Sequence, residues 1–358
     1  MTDHEKTTPN GHQKKQILLN SFDLAAVGHT SIGQWKNPED KSDTKHILEY
    51  WIELAKILPL SAMSSVTKNL SFGITSSTSF EPPFLLAKRF STLDHMTNGR
   101  FAWNIVASWK KSAFRAIGVE EPPENDGRTT TKLTRENKAG ADFASRHAEA
   151  IFIAGPTPEA LRAKVINGRL LAQKVGRNPS GVNFFVTFTP ILGHTDEEAQ
   201  VKKASCEKYN SFIDGLVFFS GVTGIDVSTM DVDEPIAAAQ SKEKNKVTSN
   251  LDSLERNREK GNVVTPRRLG EGLSVGGIGP LTVGSPKTVA DEMERWMEVA
   301  DLDGFNISHV VSPGSFEDVV ELLIPELRRR GLYPGLATTI CYGNDKYRIG
   351  TDDQQRRG

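Results

Sequence analysis

The chain has 358 residues, 37% of them hydrophobic and 25% charged, with a formal net charge of −1 at pH 7. That length is enough to bury one large core or two modest ones. A near-neutral balance argues against nucleic acid or a membrane surface as an electrostatic partner, and no run approaches the roughly 18 uninterrupted apolar residues of a membrane span.

Residues 1–14 are polar, lack the apolar stretch of a signal peptide and read as disordered. Gln16 to Phe22 (QILLNSF) reads as a buried first strand, followed by the loop VGHTSIGQWKNPEDKS. Ile47, Tyr50, Trp51 and Leu54 then line one face of a helix. Pro59 ends or kinks it, and a second helix-like run, LPLSAMSSVTKNL, follows with no strand between. Leu70 to Thr75 reads as a strand and Phe84 to Leu93 as a helix. Asn98-Gly99 makes a turn into a strand from Arg100 to Ser108.

Residues 119–138 have almost no apolar residue and no period, as expected of a linker. A short helix (GADFASRHA) then leads into a strand from Ala150 to Ala154. Thr157 and Pro158 occupy the N-cap and first positions of the next helix. A strand from Val182 to Leu192 precedes a polar helix starting near Thr195, and residues 231–262 form a charged surface excursion. Ser285-Pro286 opens a helix reaching about Ala300. Gly304 to Val310 is a strand, Ser315 to Arg330 an amphipathic helix, and 335–358 a loose tail.

One α/β domain over 15–334 follows, with six parallel-strand candidates where a (β/α)8 barrel needs eight. An incomplete barrel and an open doubly wound sheet both remain compatible with that pattern. The two cysteines, Cys206 and Cys341, lie far apart, and a reducing, cytoplasmic setting is the expectation. The final QRRG lacks a peroxisomal tripeptide.

Polar residues where a strand passes into its loop are the first candidates for a site. Thr75, Ser76, Ser77 and Thr78 close one strand; the alternative is that they cap the helix starting near Pro82. Asn104 interrupts the apolar strand FAWNIV, where ligand contact and a bond to the next strand are equally open readings. Trp103 and Trp109 read as core.

His29 and Trp35, in the loop after the first strand, are candidates to line a pocket, against the blander reading of a solvated loop histidine. His95, His147, His194 and His309 are scattered without metal-binding spacing, there is no CxxC, and no metal is expected. Gly276-Gly277-Ile278-Gly279-Pro280 lacks a phosphate-loop signature and reads as a mobile loop. No GxSxG elbow marks a hydrolase. Arg328, Arg329 and Arg330 sit at a helix C-terminus, where the dipole favours cations.

Ordered blocks along the chain carry a resemblance. QILLNSFDLAAVGHTSIGQWKNPEDKS, GITSSTSFEPPFLLAKRFSTLDHMTNGRFAWNIVAS, DFASRHAEAIFIAGPTPEAL, FSGVTGIDVS, TPRRLGE and VGSPKTVADEMERWMEVADLDGFNISHVVSPGSFEDVVELLIPELRRRGLYP cover roughly four-fifths of it. They resemble the flavin-dependent monooxygenases of the nitrilotriacetate/dibenzothiophene-sulfone type, within the bacterial-luciferase-like superfamily. The resemblance implies a TIM barrel that takes reduced FMN from a separate flavin reductase and uses O2 to oxidise a small organic substrate. Homo-oligomers are compatible with it.

By the same resemblance, Thr75 falls on a flavin-contacting Thr and Asn104 on an Asn close to the flavin pocket; no catalytic residue is assigned. The chain departs from the family in two places. Lys56-Ile57-Leu58-Pro59 passes straight into SAMSSVTKNL, where the family has a further strand ending in a flavin-contacting Asp. VEEPPENDGRTTTKLTRENKAG stands where the family has its flavin-contacting His and Tyr and a strand ending in a phosphate-binding Ser; Asn137 lies about at that Ser. These are the two strands that the count lacks. The alternative to a working monooxygenase is therefore a catalytically dead remnant or truncated gene product.

Overall fold

The computed structural model describes residues 15–24, 26–57, 72–106, 108, 111–120, 138–155, 157–223, 226–228, 230–235, 265–277 and 279–333. Its strands are β1 (Leu18–Ser21), β2 (Phe72–Ser77), β3 (Phe101–Val106), β4 (Ala150–Ile153), β5 (Asn183–Leu192), β6 (Leu281–Gly284) and β7 (Gly304–Ile307). The principal helices are α1 (Leu48–Ile57), α2 (Pro83–Met96), α3 (Lys111–Ala116), α4 (Lys138–His147), α5 (Pro158–Lys174), α6 (Asp196–Glu207), α7 (Phe212–Thr223), α8 (Pro266–Leu273) and α9 (Pro286–Ala300). After β7, α10 (Gly314–Asp318) runs through a π-helical turn (Val319–Leu323) into α11 (Ile324–Arg329).

All six expected strands are present. β6 is an addition: sequence reading stopped at the glycines before it, because a four-residue strand between Pro280 and Ser285 has too few residues to show alternation. The run LPLSAMSSVTKNL, most of the 119–138 linker, most of the 231–262 excursion, Trp109, residues 1–14 and residues 335–358 lie outside the described residues.

The strands form two separate parallel sheets. β4, β5, β7 and β1 are joined in that order, and β6 pairs with the C-terminal half of β5. On β5 the amides of Asn183 and Thr189 both point away from β7, to Glu149 and Pro280, so β6 continues the edge that β4 begins. The second sheet is β2 and β3 alone, in register from Phe72↔Phe101 to Ser77↔Val106. Among the described residues no ladder joins β1 to β2 or β3 to β4. Leaving aside the short β6, the six other strands fall, among the described residues, in two arcs of an incomplete (β/α)8-type barrel.

The larger arc holds the core. β5 is a nearly unbroken apolar run and is buried along most of its length, as parallel strands covered on both faces are. β7 is buried throughout. Helix α9 places Val289, Ala290, Met293, Trp296, Met297 and Ala300 on one buried stripe at helical spacing. Ser285 caps it by accepting from the Thr288 amide, and Asp301, in the left-handed region, ends it.

At the N-terminal ends of the strands Arg169 bonds Asp301 (3.0 Å) and Asp303 (3.0 Å), and Asp303 also accepts from the Phe184 amide (2.8 Å). Lys15 completes this clamp on Asp303 at 2.9 Å. Gly304 is required where β1, β5 and β7 meet: a Cβ there would lie 2.1 Å from the Leu18 carbonyl oxygen and 2.6 Å from the Phe185 ring.

The β2–β3 unit has its own small apolar cluster. Leu86 and Phe114 are buried, Phe80 meets Phe114 edge-on, and Phe90 packs on Phe101 and Trp103. None of these residues joins the main core. Among the described residues no helix is long and apolar enough to cross a membrane.

Candidate active site

Two polar groups lie at the C-terminal ends of the strands. On the smaller arc the register pairs Thr75 with Asn104, and the Asn104 amide donates to Thr75 Oγ1 at 2.8 Å on an exposed part of the sheet. Of the two readings of Asn104, the bond to the next strand is therefore present. It leaves the Asn104 carbonyl and the Thr75 hydroxyl proton free for a second partner.

The neighbouring hydroxyls do not cap α2, whose N-cap is Pro82 without a side-chain bond. Ser76 instead meets Glu81 and Arg89, and Thr78 meets the Val106 carbonyl. Trp103 donates to the Ser76 carbonyl at 2.9 Å.

The larger arc carries a buried ionic cluster that sequence reading did not assemble. Asp23 follows β1, and His309 and Ser312 follow β7. The intervening loop brings His29, Thr30 and Lys45 back over both strand ends. That loop is packed: Gln34 is fully buried and bonds the Cys206 carbonyl at 2.8 Å, while a Cβ on Gly33 would lie 2.5 Å from the Tyr209 carbonyl oxygen. His29 has a φ of 50°, in the left-handed region that is uncommon for a residue with a Cβ. The solvated-histidine reading is thus overturned, since His29 is only 3% exposed. Trp35 faces solvent, with Lys36 over its ring.

Asp23 is the hub. Its Oδ1 accepts from Lys45 Nζ at 2.5 Å and from His309 Nε2 at 3.0 Å, and its Oδ2 accepts from the Tyr50 hydroxyl at 3.0 Å. Burial opposes ionisation of Asp23, but the bonds and charges of His309 and Lys45 outweigh it and bring the pKa down to about 2. Lys45 also donates to the carbonyls of Leu24 and Ala26. Tyr50 contacts Ser312 Oγ at 2.6 Å, and burial followed by the Asp23 charge pushes its phenol well above its ordinary value.

The His29 ring lies stacked on His309, centroids 4.3 Å apart. Burial, then repulsion from His309, lowers its pKa to about 2, so the ring is neutral near pH 7. The Leu24 amide donates to His29 Nδ1 at 3.1 Å, which places the proton on Nε2, pointing at Ser308 Oγ 2.8 Å away. Ser308, His29 and Asp23 superficially form a hydrolase triad. The tautomer is wrong for one: a general base needs its lone pair toward the serine, and Asp23 stands 3.8 Å from Nδ1 without bonding it.

Asp23, His29 and His309 offer ligand atoms within 4.8 Å of one another, so the expectation that the histidines stand alone is corrected. The cation there is Lys45, which holds the carboxylate oxygen that a metal would need.

Gly276 and Gly277, expected in a mobile loop, are buried. Gly276 donates to Ser31 Oγ at 2.8 Å, and a Cβ on Gly277 would lie 2.7 Å from that of Thr30. The only sign of the cluster in the sequence was the polar run after each strand; the partners of Asp23 on β7's side are 286 residues away.

A family model described as "Luciferase-like monooxygenase" matches residues 42–137 and 134–301. The dimethyl-sulfide monooxygenase of Hyphomicrobium sulfonivorans is 29% identical over 423 residues, covering 89% of this chain and 87% of the relative. The long-chain alkane monooxygenase of Geobacillus thermodenitrificans (strain NG80-2) is 29% identical over 448 residues, covering 94% and 97%. Both alignments are longer than this chain of 358 residues, so the relatives carry internal segments that have no counterpart here. The crystal structure of DmoA from Hyphomicrobium sulfonivorans superposes with a TM-score of 0.76 at 29% identity, over 89% of this chain and 90% of that one.

Proposed function

The chain belongs to the luciferase-like monooxygenase family, and from that premise we propose that it is an FMN-dependent monooxygenase, receiving reduced FMN from a separate flavin reductase and using O2 to oxidise a small organic substrate. The observation that carries this reading is the hydrogen bond between Thr75 and Asn104 at the C-terminal end of β2 and β3. It leaves one donor and one acceptor, on adjacent strands, to meet the edge of a flavin ring, which itself alternates carbonyls with N–H.

Thr75 and Asn104 would hold that edge, so these residues fit the ring. Bound FMN would supply the redox chemistry with O2. The chain's own part is orientation and exclusion of water. The packed loop carrying His29 and Thr30 closes the strand ends, and the neutral His29 donates toward Ser308 without itself taking a proton. The Asp23–Lys45 pair fixes that loop to β1.

A second reading, a catalytically dead remnant, is favoured by one specific observation: the sheet is split, and Thr75 lies exposed on a two-stranded piece. Titration of the chain with FMN under anaerobic reducing conditions separates the two. Saturable binding that weakens roughly tenfold or more in Thr75→Ala supports the enzyme; a folded chain that binds no reduced FMN supports the remnant. Cytoplasmic residence belongs to the same proposal and is checked by imaging a tagged chain.

A further inference from the structure

The strand register sorts the side chains of the larger arc into levels. Leu18, Phe185 and Gly304 share one level, and Asn20, Thr187 and Asn306 share the next toward the C-terminal ends, all on one face of the sheet. The residues between them, Leu19, Val186 and Phe305, belong to or pack on the main core beneath the helices, so the Asn20–Thr187–Asn306 face is the interior of the barrel. Asn20 donates to Asn306 Oδ1 at 3.0 Å, which fixes the Asn306 amide with its nitrogen turned away from that contact. Asn306 Nδ2 and the half-buried Thr187 hydroxyl have no hydrogen-bond partner among the described residues. Neither atom is sealed, because His309 Nδ1 is the one side-chain nitrogen or oxygen there that is both enclosed and unpartnered. Asn306 is only 6% exposed and stands with the sheet behind it, so that access comes from the barrel interior. Two donors on neighbouring strands are left facing the space where a barrel of this type takes its ligands, and polar groups so placed are normally satisfied.

We propose that Asn306 and Thr187 form a substrate subsite that donates two hydrogen bonds to one neutral acceptor oxygen, such as a carbonyl. A carbonyl oxygen has two lone pairs, and residues opposite each other on strands about 4.8 Å apart can both reach a single atom between them. Asn20 is a positioning residue: its bond to Asn306 Oδ1 holds the amide so that an N–H faces the ligand. The acceptor is neutral because this level carries no cation, and Lys45 is committed to Asp23 and to the Leu24 and Ala26 carbonyls. The level beneath is apolar, Leu18 and Phe185 with Phe152 against Phe185 at 5.8 Å, so the rest of the ligand is apolar on that side. Resting on the monooxygenase reading for the reaction, this names the substrate class as small, mainly apolar molecules bearing a carbonyl-type oxygen.

The test is 1H–15N NMR of the side-chain amides in the intact 358-residue chain, labelled on asparagine, with Asn306 assigned by the resonance missing from Asn306→Ser. Cyclohexanone and cyclohexene, rings of one size with and without the oxygen, are titrated at equal concentrations. The expected result is a saturable downfield shift of an Asn306 N–H proton with cyclohexanone and none with cyclohexene. Thr187→Val, which keeps the shape and removes the hydroxyl, should weaken cyclohexanone binding roughly tenfold. The proposal is overturned if the two probes act alike, if the Asn306 amide does not respond to cyclohexanone, or if Thr187→Val binds it as tightly as the parent. Oxidised FMN, whose ring also carries carbonyls, is titrated separately. A shift of the Asn306 amide by FMN that blocks the cyclohexanone response would assign this level to the cofactor and overturn the substrate assignment. A chain that shows the cyclohexanone response but binds no flavin keeps the subsite and fails only the monooxygenase reading.

Discussion

Lys45 and Asp23 decide the energetics of the buried cluster. Their side chains are 5% and 7% exposed, and each is the other's charge partner. Removing one member leaves a buried charge unpaired, so Lys45→Met should cost about 3–5 kcal/mol in urea unfolding. The double replacement Asp23→Leu with Lys45→Met should recover most of that loss, because no charge is then buried.

Protonation follows from the same surroundings. The unfolded chain takes up a proton at His29 below its ordinary 6.5, whereas the native chain resists it down to about 2. The stability that this represents is therefore whole above pH 6.5 and declines as the pH falls toward 2. Asp23, lowered from 3.8 to about 2, adds a second loss between those values. The urea midpoint should fall between about pH 7 and about pH 4, and His29→Phe should flatten that slope whatever it does to the midpoint at pH 7.

Among the elements, strands of the same parallel type differ in what surrounds them. β7 is buried on every side, so a methyl group at Gly304 meets the Leu18 carbonyl and the Phe185 ring. Gly304→Ala should destabilise the chain by about 1–3 kcal/mol, measured as a shift in Tm or denaturation midpoint. In β2 the same change at Gly73 meets nothing within 4 Å and should be tolerated.

Strand positions were legible in the sequence because alternating or continuous apolar runs with turn residues at each end are local signals. Thr157, Ser285 and their following prolines marked helix starts for the same reason. β6 was not legible: its four residues pair with the far half of β5, and nothing local distinguishes them from loop. The Gly276–Gly277 stretch was misread because glycine signals backbone freedom equally in a mobile loop and in a tight packing contact; contact with Thr30 and Ser31 decides which.

As a whole molecule, the chain has one extensive core and a smaller β2–α2–β3 unit with its own cluster. A two-stranded sheet has little independent stability, so the two parts should not unfold as one. Trp296 reports on the first and Trp103 on the second. Single-tryptophan variants keeping one or the other should give urea midpoints that differ, with the Trp103 transition at lower denaturant; coincident curves would show a single cooperative unit.

Family membership and six of the strands follow from the sequence by itself, since each depends on residue patterns within short windows. The sequence also singled out Thr75 and Asn104 as polar residues in the second half of their strands. That these two bond each other, that the barrel separates into two arcs, and that Asp23, His29, Lys45 and His309 form one buried cluster were decided only by the tertiary structure. Such contacts join residues from 22 to 286 positions apart, and a charge or hydrogen-bonding group carries no local mark of the partner that folding brings to it.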